Sequence, residues 1–141
     1  MNMKKRFALA VLVAGGSLFV PEAALACSKS KAPAEAKAME NPVEASDEVM
    51  AEAKKIYKKK CKKCHGSKGN GKGPGAKDMD PMPPDWTKGI DFTDGELYWA
   101  TMNGCEGTEM KGWKAGSAKP GKEITEEQAW GLVHYIRTFA R

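Results

Sequence analysis

Cys61-Lys62-Lys63-Cys64-His65 is the stretch whose reading decides this chain. Two thiols three positions apart, followed at once by a histidine, form C-x-x-C-H, the spacing of a c-type haem attachment site. At a helix end the two sulfurs can add across the two vinyl groups of one haem. The adjacent imidazole is then placed under the iron as its proximal ligand. A thioredoxin-type redox pair would sit at a strand-to-helix turn in a βαβ pattern. Here a lysine-rich helical pattern precedes the motif and a glycine-rich loop follows it. A zinc site needs a second ligand pair at suitable spacing, and only Cys105 and His134 remain downstream.

Outward toward the N-terminus, Lys4, Lys5 and Arg6 precede an apolar run from Phe7 to Val20, then Pro21 and Ala23-Ala24-Leu25-Ala26. That order of charged, apolar and small residues is a secretory signal. The apolar run is too short to span a bilayer, which takes roughly 20 residues. Residues 1–26 are therefore expected to be removed, leaving an exported chain that starts at Cys27. Residues 27–46 carry Ala, Lys, Glu and Pro without apolar periodicity and read as a flexible tether. A lipid on Cys27 is the alternative to a soluble mature protein. Ala24 and Glu22 depart from the usual lipoprotein pattern, whereas a tether of this composition suits one. Cys105 is a buried small residue or pairs with Cys27 in the oxidising compartment.

The whole chain has 141 residues, which allows one ordinary domain. Fifteen Gly and eight Pro favour a loop-rich fold, and neither a collagen nor a coiled-coil period appears. Ten lysines and no acid lie between Lys54 and Lys77, whereas eleven acids face seven bases from Asp78 to Arg141. The mature chain is thus an electrical dipole more than a basic protein. Export removes nucleic acid as a partner.

Three helices can be placed. The first runs from about Ser46 to Lys60, with Val49, Met50, Ala53, Ile56 and Tyr57 on one face. The second opens at the capping box Thr93-Asp94-Gly95-Glu96 and stops at Asn103-Gly104. The third opens at a second capping box, Thr125-Glu126-Glu127-Gln128, and its stripe is Ala129, Leu132, Val133, Ile136 and Ala140. No alternating strand pattern occurs, so the chain reads as all-α. Two long loops, from Gly66 to about Phe92 and from Asn103 to Lys122, need an organiser. A covalent haem supplies one, since its apolar surface compensates for a small protein core.

For the sixth iron position the chain offers Met79, Met82, Met102, Met110 and His134. Met102 falls on an apolar helix face, Met79 and Met82 lie early in a Pro-rich loop, and His134 lies off its helix stripe. Met110 stands in the glycine-bracketed segment Gly107-Thr108-Glu109-Met110-Lys111-Gly112-Trp113 and is the preferred candidate.

These motifs, with Pro83-Pro84-Asp85-Trp86-Thr87 and the terminal Gln128–Arg137 helix, make residues 47–141 resemble the small monohaem class I cytochromes c of the short-loop bacterial kind. The resemblance implies a cytochrome c-like fold of three main helices wrapped by loops around one covalent haem c. It implies His65/Met110 ligation, Pro83 and Pro84 against the haem, and Trp86 and Trp113 packed beside the haem or its propionates. It departs at Lys111, where the family usually has proline. A haem with both axial positions filled points to electron transfer rather than enzymatic turnover. The expected function is a periplasmic single-electron carrier, with Lys60, Lys62, Lys63, Lys68 and Lys72 facing acidic redox partners. The alternatives are a membrane-tethered subunit of a periplasmic oxidoreductase, or a gas-binding haem protein in which Met110 is displaced.

Overall fold

The computed structural model describes residues 32–140. Helix α1 covers Ala34–Lys37 and α2 covers Asp47–Ile56; a π-helical turn, Tyr57–Cys61, then leads directly into α3, Lys62–His65. A 3-10 turn at Trp86–Lys88 precedes α4, Asp94–Asn103, and α5, Glu126–Arg137, ends in a 3-10 turn at Thr138–Ala140. The fold is all-α: among the described residues extended pairing is confined to one isolated bridge, between Gly104 and Lys111.

Each long helix starts where its side chains satisfy the free N–H groups of the first turn. The Ser46 hydroxyl accepts from Val49 N. Thr93 and Glu96 close a reciprocal capping box on α4, and Thr125 and Gln128 close another on α5. Gly104 ends α4, its N–H donating to Ala100 O at 2.8 Å.

The core forms where α2 crosses α5. Ala53, Ile56 and Tyr57 are buried with Ala129, Leu132, Val133 and Ile136, and α4 adds Leu97 and Met102. Tyr98 lies flat on Trp130, centroids 4.1 Å apart at 5°. Ala140, expected on the α5 stripe, is exposed instead, because the chain tightens into the 3-10 turn and leaves the helical register. Arg137 closes the far end, its guanidinium donating to Asp94 Oδ1 at 2.7 and 2.9 Å and to the carbonyls of Ile90 and Phe92.

The segment before α2 shows no apolar periodicity, yet its described part lies against the domain. Ala32 and Ala36 are buried. Thr93 Oγ1 donates to Lys37 O, Lys37 pairs with Glu96 at 3.8 Å, and Asn41 Nδ2 donates to Trp130 O. His134, expected in solvent, is half-buried, its Nε2 2.6 Å from Val43 O. Small side chains and backbone carbonyls make this contact, so the hydropathy pattern does not register it. Cys27 and the signal-like residues 1–26 lie outside the described residues. No helix among the described residues is long and apolar enough to cross a membrane.

Candidate functional site

Cys61, Cys64 and His65 sit on one continuous helical run, delivered by the π-turn at the end of α2. Tyr57 pins its end by donating to Gly66 O at 2.7 Å. The glycine-rich loop then folds back over the exposed carbonyls of α3. Gly71 N donates to His65 O, Gly73 N to Cys64 O and Gly75 N to Lys63 O, at 3.0, 2.9 and 2.8 Å. Gly73 has to be glycine: a Cβ there would come within 2.2 Å of Lys63 O.

Neither cysteine is held in a disulfide. They line a cavity of about 810 Å³, within the usual size for cofactor pockets. His65, Pro83, Pro84, Met110 and Trp113 face the same space. A smaller apolar cavity of about 70 Å³, reaching Leu132 and Ile136, shares His65, Met110 and Trp113 with it.

His65 is buried, which pushes its imidazole down to about 4; at neutral pH the ring is uncharged and keeps a lone pair for a metal. Its Nδ1 is buried without a hydrogen-bond partner, and so is Trp86 Nε1. The two rings are stacked 4.4 Å apart at 6°. Trp86 lines the smaller cavity only.

Met110 is carried by a hairpin. Cys105 N donates to Met110 O at 2.9 Å, and Met110 N donates to Thr108 Oγ1, which itself donates to Cys105 O. Trp113 N donates to Thr101 O, tying the hairpin to α4. Met79 and the exposed Met82 also line the larger cavity, whereas Met102 and His134 line neither. Cys105 is buried and disulfide-bonded.

Of the expected rim lysines, Lys60 and Lys63 reach the larger cavity; Lys62, Lys68 and Lys72 are exposed but do not line it. Lys59, Lys111, Lys119 and Lys122 complete the rim. The last three come from the second loop, where nothing local in the sequence points to the cavity. The Lys60 ammonium lies 4.4 Å from the Trp113 ring centroid and also donates to Lys122 O, joining the two sides.

The family model for cytochrome c matches residues 50–140. The chain belongs to the cytochrome c family. It therefore carries covalently bound haem c. The residues present fit that group: free thiols at C-x-x-C spacing, a neutral buried imidazole beside them, and a cavity of suitable size. No curated protein matches this cytochrome c. Among solved structures it is similar to a chain of the Kuenenia stuttgartiensis reducing HAO-like protein complex Kustc0457/Kustc0458, with 29% identity and a TM-score of 0.57. The match covers 71% of this chain and 47% of that one, so this cytochrome c spans about half the length of the chain it matches.

Proposed function

We propose that this cytochrome c is a periplasmic one-electron carrier of the small monohaem class I type, with Cys61 and Cys64 as covalent anchors and His65 and Met110 as axial iron ligands. The observation that carries the reading is the single cavity lined by both thiols, the neutral His65 and the Met110 thioether. Haem c, when bound, supplies a one-electron redox centre. His65 offers its lone pair from α3, and Met110 offers its thioether from the hairpin. Held by His65 and Met110 together, the group would offer no site to a small ligand, and the thioether would raise its reduction potential. Pro83, Pro84 and Trp113 limit water at the cavity wall. The lysine rim steers an acidic redox partner toward the mouth, raising encounter rate more than affinity.

The signal-like N-terminus supports export. A second reading, a subunit resident in a larger oxidoreductase, is supported by the complex in which the similar solved chain occurs.

The test is the optical spectrum of the ferric protein. A weak red band from methionine sulfur on ferric haem, present in the native protein and gone in Met110→Ala, is expected. Its absence from the native protein, or its persistence in the variant, overturns the Met110 assignment. His65→Ala is expected to prevent a correctly ligated protein from accumulating. For the second reading, co-purification of a stoichiometric partner at high salt would replace the diffusing carrier with a bound subunit.

A further inference from the structure

The wall of the haem pocket draws on a segment outside the cytochrome c match, whose first residue is 50. Ala32, 7% exposed, lines the smaller cavity together with Glu96, Trp99 and Ala100 of α4. The segment that carries it is fixed along its length. Helix α1 lies so close to α4 that a Cβ on Gly95 would fall 1.8 Å from Ala36 O. Thr93 Oγ1 donates to Lys37 O, Asn41 Nδ2 donates to Trp130 O, and Asn41 Oδ1 accepts from Val43 N. Lys37 places its ammonium 3.8 Å from Glu96 Oε1. We propose that residues 32–43 are a strap that completes the haem pocket and raises its reduction potential, Lys37 offsetting the charge that Glu96 brings to the pocket wall.

Glu96 stands out in this wall. Its side chain is only 5% exposed, and the apolar Leu97, Leu132 and Ile136 line the same cavity. Helix α4 brings it there for its own sake: Oε2 accepts from Thr93 N at 2.8 Å and closes the capping box. The consequence is a carboxylate charge in a poorly solvated position, where Coulomb interactions act more strongly than in water. Reduction adds one electron to the haem and removes one positive charge from its iron. A buried carboxylate close by therefore favours the ferric form and lowers the potential, and the Lys37 ammonium opposes it. The alanines of the strap act in the same direction as Lys37. By covering the wall they keep water out, and a drier pocket favours the less charged ferrous form. Helix α5 shows that the cap does not need a carboxylate, since Gln128 fills the same place in its own box.

The proposal rests on haem c being bound through Cys61 and Cys64 at this cavity, and it holds whichever residue takes the sixth position. The pyridine haemochrome spectrum of the native protein checks the two thioether bonds first; a spectrum without them would overturn both readings. The reduction potential of the haem-loaded protein is then measured by spectroelectrochemistry for the native chain, Lys37→Gln, Glu96→Gln and Lys54→Gln. Lys37→Gln is expected to shift the potential down, and Glu96→Gln to shift it up with the capping box retained. Lys54→Gln, on an exposed face of α2, should leave it near the native value. Opposite signs are the signature of charge. Each of the first two substitutions breaks the same ion pair, so a loss of packing alone would move both potentials in one direction. Shifts of the same sign in those two variants, or none in either, would overturn the proposal. The covering of the wall is read separately with Ala36→Leu, which overpacks a position only 4% exposed and should lift the strap. Faster proteolysis within residues 32–41 together with a lower potential is expected. Faster proteolysis with the native potential would remove the strap from the pocket. Should the strap stay docked in Ala36→Leu, Gly95→Ala is read in the same way.

Discussion

The Sγ of Cys105 lies 3.4 Å from the Sδ of Met110. The two residues also face each other across the hairpin, joined by the bond from Cys105 N to Met110 O and the adjoining Gly104–Lys111 bridge. The disulfide at Cys105 therefore anchors the same few residues that carry the candidate ligand. Cys105→Ser is expected to cost about 2–4 kcal/mol of stability, the usual range for a lost disulfide. Urea unfolding of the haem-loaded protein, native against variant, measures it. Equal midpoints would mean that the hairpin's own hydrogen bonds suffice.

Met110 shares the larger cavity with Met79 and Met82, so the three can be separated by substitution. Met110→Ala is expected to let the ferrous protein bind carbon monoxide, which the native protein resists. Met79→Ala and Met82→Ala are expected to stay unreactive, because Met82 is 45% exposed and both residues lie outside the smaller cavity that Met110 and His65 share. Carbon monoxide binding by Met79→Ala alone would move the ligand to that residue.

The rim lysines predict a position-dependent charge effect. Lys63→Glu with Lys122→Glu alters the mouth of the cavity, whereas Lys54→Glu with Lys55→Glu alters an exposed face of α2 away from it. The first pair is expected to slow electron transfer to an acidic redox protein by about 10-fold or more at low salt. The difference should shrink once the Debye length falls below about 5 Å. Stopped-flow rates across a salt series give the answer, and equal slowing by both pairs would mean that net charge alone matters.

Gly95 packs so closely on the segment before α2 that a Cβ would fall 1.8 Å from Ala36 O. Gly95→Ala is expected to displace α1 and cost about 1–3 kcal/mol, the range for an overpacked contact. Limited proteolysis reads the displacement directly: residues 32–41 should be cut faster than in the native protein while 47–140 stay protected. Unchanged cleavage would show that the segment contributes little to the domain.

The parts legible in the sequence are those written in local spacing. Thr93 and Glu96, and Thr125 and Gln128, mark two helix starts because a capping box is a four-residue device, and both boxes form. The C-x-x-C-H motif is likewise local, and the structure places Cys61, Cys64 and His65 on one helical run. What was not legible depends on distance or on backbone. The π-turn at Tyr57–Cys61 widens a helix without any side-chain signature. The docking of residues 32–43 uses alanines and carbonyls rather than an apolar stripe. Lys111, Lys119 and Lys122 meet Lys59, Lys60 and Lys63 from a distant part of the chain, a convergence that a charge run cannot announce. Trp86 lies flat on His65, a pairing that depends on the return of the loop through Gly69 and so has no local signature.

The ring of six lysines at the cavity mouth also governs how two copies of this protein meet. Bringing mouth to mouth would oppose like charges, so electron self-exchange is disfavoured at low ionic strength and quickens as salt is added. Reaction with an acidic partner has the opposite salt dependence. Ionic strength thus acts as a selector, keeping electrons moving between unlike proteins instead of circulating within a pool of identical ones.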